Sequence, residues 1–157
     1  MMTTRAMATQ PMTGFRMRIG HLTDALGRVP LAILQLAFRL AIASVFLKAG
    51  LNKLASWELT VQLFRDEYQV PVFPPEMAAT MATTFEIGCS VLLIAGLATR
   101  LATLPLLGMI CVIQLFVYPG AYSEHLTWAS ILAFLLTRGA GSISLDRLLG
   151  LEPRRES

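Results

Sequence analysis

Charged residues are scarce in this chain: they make up 15% of its 157 residues, whereas hydrophobic residues make up 55%. The mean hydropathy is +0.61. A soluble domain of ordinary composition carries about one quarter charged residues. The composition therefore excludes an ordinary soluble domain and predicts one integral membrane domain.

Cysteine is nearly absent as well. Cys89 and Cys111 are the two cysteines of the chain, too few for a disulfide framework or a cysteine-based metal site. The sequence also lacks a glycine-rich phosphate loop, a His-x-x-x-His pair and a serine nucleophile elbow. The net charge of +3 forms no basic patch, so we expect no nucleic-acid partner. Whether the chain is an enzyme stays open.

Four apolar stretches approach or exceed the ~20 residues that a bilayer-crossing helix takes. They are residues 30–51, 77–98, 101–123 and 122–140. The sequence predicts an all-α, integral membrane four-helix bundle at residues 30–141, between an N-terminal tail (1–29) and a C-terminal amphipathic segment (142–157). In that last segment Ser144 is a candidate helix N-cap, and Asp146 would favour the positive end of the same short helix.

Lysine and arginine counts predict the orientation of this bundle. Nine of them flank the stretches on the side of the two termini and three on the other side, which puts both termini in the cytoplasm by the positive-inside rule. Between the first two stretches, Trp57, Val61, Phe64 and Tyr68 recur at helical spacing. That pattern predicts an amphipathic helix on the opposite, periplasmic surface.

Arg39 and Glu86 lie inside apolar stretches, where a charge is costly and needs a partner or a function. Counted at about 1.5 Å per residue from the cytoplasmic edge, Arg39 lies ~13 Å deep and Glu86 ~16 Å deep. We therefore predict that they pair, and that Gln114, about one turn away, completes a buried polar cluster. Two interpretations stay open: an ion pair that fixes helix packing, and a site for a quinone headgroup or a proton relay.

One face of the first stretch carries a further pattern. Arg39, Phe46, Gly50 and Lys53 are separated by seven, four and three residues, so they share a helix face. Phe46, Gly50 and Lys53 predict a groove for a long apolar ligand whose polar head meets Arg39. The alternative is that this face packs against the second stretch.

Other side chains are weaker candidates. Cys89 and Cys111 are a conceivable redox pair, although buried cysteines usually act as small hydrophobes. No metal is expected, and four residues are its weak candidate ligands: His125, Met77, Met81 and Met109. An interfacial histidine and ordinary methionine packing are the favoured explanations of these four residues.

Several segments together form a recognisable pattern. They are Arg39 through Phe46 and Gly50 to Lys53, Glu86-Ile-Gly88, Gly96-Leu-Ala-Thr-Arg100, Tyr118-Pro119, His125-Leu-Thr-Trp128 and Arg138-Gly-Ala-Gly-Ser142-Ile-Ser144-Leu145-Asp146. These segments resemble the DoxX family of small four-span membrane proteins. The resemblance covers residues 30–150 and implies a protein of the bacterial inner membrane.

The family's namesake is associated with thiosulfate:quinone oxidoreductases. The resemblance therefore implies a redox-associated subunit that interacts with quinone or another lipid-soluble carrier. The segment from Leu63-Phe64 to Pro75 resembles one branch of this family, whose members look like companions of operons that make copper-chelating peptides. That resemblance implies the alternative of a non-catalytic membrane partner or small transporter in metal-peptide handling. Membrane lipid is the expected surrounding, and partner subunits or a second copy of the chain are candidate partners.

Overall fold

The computed structural model describes residue 27, residues 29–71 and residues 73–151. The chain divides into two units, residues 1–30 and 31–157. Almost all of the predicted N-terminal tail, and the last six residues of the predicted C-terminal segment, lie outside the described residues. The second unit contains the apolar stretches and all the candidate site residues.

This unit is built from helices. They are α1 (Leu31–Ala55), α2 (Trp57–Leu63), α3 (Pro75–Ala95), α4 (Thr99–Val112), α5 (Tyr122–Arg138) and α6 (Leu145–Leu148). Helices α2 and α4 each continue into a π-helical turn, at Phe64–Tyr68 and Ile113–Val117. The described residues contain no strand, and the prediction of an all-α fold is confirmed.

Three helices are long and apolar enough to cross a membrane: Leu31–Ala55, Pro75–Ala95 and Thr99–Val117, the last including the π-helical turn. Helix α5 has 17 residues, fewer than the ~20 of a typical bilayer-crossing helix. The fourth span and the periplasmic position of α2 therefore remain predictions.

Helices α1 and α3 pack antiparallel, and glycines set their register. A Cβ on Gly50 would lie 2.7 Å from Cγ1 of Ile87 and 3.0 Å from Cβ of Glu86. Near the other end, a Cβ on Gly96 would collide with the guanidinium of Arg39. Small residues at such positions let two helix backbones approach closely. Glu86 is thus level with Gly50, and Arg39 is level with the end of α3.

The core of the unit lies among the four longer helices. Its buried side chains include Ile42 and Phe46 of α1, Cys89 and Leu93 of α3, Leu106 and Ile110 of α4, and Leu132 and Leu135 of α5. Large apolar side chains also cover the outside, such as Leu101 and Leu115, each 69% exposed. Such a surface suits contact with membrane lipid.

The segment after α5 is tied to α1 by two polar side chains. Gln35 donates from Nε2 to the carbonyls of Arg138 and Gly139, at 3.2 Å each. One turn further along α1, Arg39 donates from Nη2 to the carbonyl of Ile143 at 2.6 Å. Both side chains are buried, so their polar atoms satisfy loop carbonyls where water is excluded.

Asp146, at the start of α6, joins that helix to the start of α4 at the same end of the bundle. Its carboxylate accepts hydrogen bonds from the backbone N–H groups of Ala98 (2.7 Å) and Thr99 (3.0 Å). These groups belong to the first turn of α4, where a helix has unsatisfied donors and a partial positive charge. Ser144 caps α6 as predicted, accepting from the N–H of Arg147 at 3.2 Å. Asp146, by contrast, caps a different helix from the one its sequence position indicated.

Candidate functional site

A cavity of about 490 Å³ lies among helices α1, α3, α4 and α5 and the π-helical turn that follows α2. Its wall is mainly apolar and includes Phe46, Phe64, Met109 and Trp128. This volume is within the ~300–1,000 Å³ of typical small-molecule sites. The cavity can therefore hold a ring-sized apolar group.

An ion pair is part of this wall. Lys53, near the end of α1, donates from Nζ to both carboxylate oxygens of Glu86, at 2.7 and 2.8 Å. The Glu86 side chain is 3% exposed and that of Lys53 is 21% exposed. The pair neutralises a carboxylate that would be costly in an apolar interior.

The position of Lys53 is supported from α2. The hydroxyl of Thr60, a buried residue of α2, donates to the backbone carbonyl of Lys53 at 3.0 Å. The end of α1 is thereby joined to the short helix that follows it. Gly50, three residues before Lys53 on the same helix, lets α1 approach α3 at the level of Glu86.

A second polar group reaches the cavity from α5. His125 is 4% exposed and lines the cavity. Its Nδ1 lies 2.6 Å from Oε1 of Gln114, and Nε2 of Gln114 donates to the carbonyl of Pro119 at 2.8 Å. The histidine is thus oriented by a glutamine that is itself fixed by the backbone.

The predicted direct pair of Arg39 with Glu86 is wrong. Glu86 pairs with Lys53, Arg39 bonds the Ile143 carbonyl, and Gln114 bonds His125. The depth count assumed that α1 enters the bundle at residue 30, but Arg39 packs against Gly96 at the very end of α3. Arg39 therefore lies about ten residues, or ~15 Å, from the level of Glu86.

The residues of the predicted groove lie in different surroundings. Phe46 and Lys53 line the cavity, whereas Gly50 packs against Glu86 and Ile87. Arg39 is not among the cavity-lining residues. The common face of these four residues is thus divided between a ligand-sized space and a helix contact.

The weaker candidates are dispersed. Cys89 is buried in the core and Cys111 is exposed, and both are free thiols. Met81 and Met109 line the cavity together with His125, whereas Met77 is 50% exposed. Within the described ranges, no group of three or more His, Cys, Asp or Glu side chains is arranged to hold a metal ion.

The segment after α2 forms one edge of the cavity and is tied to the end of α4. The hydroxyl of Tyr118 donates to a carboxylate oxygen of Glu67 at 2.7 Å, and the rings of Tyr68 and Tyr118 meet edge to face at 5.8 Å. The bond to Glu67 raises the pKa of Tyr118, because a phenol that donates to a carboxylate resists ionisation. Phe64, Tyr68 and Tyr118 all line the cavity.

The fold and the site define a helical membrane protein with an apolar cavity whose wall includes the Lys53–Glu86 ion pair. The family model DoxX matches residues 34–119, more than half of the 157-residue chain. The chain belongs to the DoxX family. No curated protein and no solved structure matches it.

Proposed function

We propose that this chain is a redox-associated protein of the bacterial inner membrane whose cavity binds a quinone or another lipid-soluble carrier. The observation that carries the proposal is the Lys53–Glu86 pair inside an otherwise apolar wall. Membership of the DoxX family supports the membrane setting.

The chemistry of Lys53 fits such a ligand. An ammonium group has three N–H donors, and two of them are directed to the oxygens of Glu86. The third remains for a ligand carbonyl, a role in which a charged donor is stronger than a neutral one. Phe46 and Trp128, whose rings lie 6.0 Å apart, supply aromatic surface beside it.

We further propose four spans at residues 30–141, with the 1–29 and 142–157 segments both cytoplasmic. Helix α5 is the fourth span in this arrangement, because its Leu132 and Leu135 are fully buried in the core that it shares with the three span-capable helices. Helix α2 then lies on the periplasmic surface. Reporter fusions at residues 60 and 122 should both report the periplasm; a cytoplasmic signal at either position would refute this topology.

Native mass spectrometry of gently extracted protein tests the ligand proposal. We expect a bound lipid-soluble molecule that is retained in Lys48→Met, whose altered residue is exposed on the same helix, and depleted in Lys53→Met. If the wild-type chain instead retains a partner protein or peptide and no small molecule, the alternative of a non-catalytic partner in metal-peptide handling is favoured.

A further inference from the structure

The orientation of the Gln114 amide is set by Pro119. The carbonyl of Pro119 can only accept a hydrogen bond, so the group that meets it at 2.8 Å must be the amide nitrogen of Gln114. The amide oxygen then faces His125 at 2.6 Å. That oxygen has no proton to give and can only accept.

This orientation assigns the proton of the imidazole ring. Nδ1 of His125 must donate to Gln114, and in a neutral imidazole the other nitrogen, Nε2, is then an acceptor. Among the described residues no hydrogen bond to Nε2 is present. His125 is nonetheless 4% exposed and lines the cavity, so an acceptor without a partner is available at the cavity wall.

We infer that the cavity selects ligands that carry a ring hydroxyl, of the phenol or quinol class, and that this hydroxyl donates to Nε2 of His125. The inference rests on the proposed function and deepens it. Lys53 offers a hydrogen-bond donor and His125 an acceptor. The ligand therefore needs an acceptor facing Lys53 and a donor facing His125. Gln114 is the positioning residue, because it sets which nitrogen of the imidazole faces the cavity unprotonated.

A pair of probes that differ by one proton donor tests this inference. 4-Nonylphenol and 4-nonylanisole share ring and chain, but the methyl ether cannot donate. Affinities are measured on the full chain in one detergent by native mass spectrometry. Since one net hydrogen bond contributes about 0.5–1.5 kcal/mol, we expect the phenol to bind roughly 2- to 10-fold more tightly.

His125→Asn keeps a donor near the position of Nδ1 for Gln114, and its shorter side chain leaves no acceptor at the position of Nε2. In this variant the phenol-to-anisole ratio should fall to about one, whereas Thr127→Ala, on an exposed position of the same helix, should leave it unchanged. His125→Phe serves as a second variant if His125→Asn does not fold. The phenol-to-anisole ratio of the wild-type chain tests the inference even if neither variant folds.

Equal binding of the two probes by the wild-type chain, or tighter binding of the anisole, would overturn the inference. The same holds if His125→Asn keeps the wild-type ratio. If the chain binds a quinone but does not distinguish the probes, the proposed function stands and this inference is wrong. If it binds neither probe and no quinone, both are wrong.

Discussion

Lys53 and Glu86, 33 residues apart in sequence, form a two-oxygen ion pair at 2.7 and 2.8 Å on the wall of an apolar cavity. The pair joins the end of α1 to the middle of α3. It also gives the cavity a charged donor whose own charge is balanced. The arrangement is therefore suited both to hold two helices together and to bind a polar group of a ligand.

The first prediction concerns the stability that this pair contributes. Lys53→Met or Glu86→Gln alone should lower the free energy of unfolding by about 1.5–3 kcal/mol, the range for hydrogen bonds to charged groups. Fully buried pairs cost roughly 3–5 kcal/mol to break, but Lys53 keeps part of its side chain exposed. The double variant should cost less than the sum of the two single variants. Unfolding in detergent measures this cycle, with Lys48→Met as control; additive costs would contradict a coupled pair.

The second prediction compares two glycines of the α3 segment. Gly96, with φ +67°, ends α3, and a Cβ there would meet Arg39. Gly96→Ala should therefore lower the unfolding free energy by more than about 1 kcal/mol, since it adds backbone strain to a collision with a buried side chain. Gly88→Ala, where a Cβ meets nothing within 4 Å, should be neutral or slightly stabilising. Equal effects of the two substitutions would contradict the close packing of Arg39 on Gly96.

A third prediction concerns the cap on α4. Asp146→Ala leaves the N–H groups of Ala98 and Thr99 without their acceptor, and loss of an N-cap costs about 0.5–2 kcal/mol. Hydrogen exchange should show faster exchange of these two amides in the variant. Arg147→Ala alters an exposed neighbour and should leave both amides protected. Unchanged protection in Asp146→Ala would show that the cap does not hold.

The fourth prediction is a pH dependence. Tyr118 lies one residue beyond the third span-capable helix, and its bond to Glu67 raises its pKa above the ordinary value of 10.0. A pKa raised in the folded state contributes stability that is fully present below the unfolded value and is lost as the pH rises past it.

The thermal midpoints of the wild-type chain and Tyr118→Phe should therefore differ by a constant amount below about pH 10 and converge above it. Ultraviolet absorbance of tyrosinate should also show a late-ionising component in the wild-type chain that Tyr118→Phe lacks. Identical titrations of the two chains would contradict the bond to Glu67.

Helix content and membrane character could be predicted from the sequence, because long apolar runs leave few other solutions. The stretches around Arg39 and Glu86 indeed form α1 and α3, and the stretch around Gln114 forms α4 and its π-helical turn. The family resemblance is also confirmed, since local segments such as the one around Glu86 are visible without any tertiary information, and the DoxX model matches.

The pairing of the charges could not be predicted in the same way. Depth was counted from the ends of apolar stretches, but the register of α1 on α3 is set by where Gly50 and Gly96 permit close approach. Arg39 lies about ten residues away from the level of Glu86, and Lys53 takes its place as the partner of that carboxylate. Similarly, Asp146 reaches α4 across 48 positions of sequence, and no local pattern indicates which helix such a carboxylate caps.

The most direct test of the ligand cavity uses Trp128, which lines it. The chain has two tryptophans, so Trp57→Phe leaves Trp128 as the single tryptophan, whose emission can be excited separately from that of the tyrosines. Addition of decylubiquinone should quench its emission saturably, and Lys53→Met in the same background should weaken binding about 10-fold or more, because a charged hydrogen bond to the ligand is lost. Lys48→Met should not change it. Quenching that never saturates, or that is the same in Lys53→Met as in the parent, would contradict a quinone site at the Lys53–Glu86 pair.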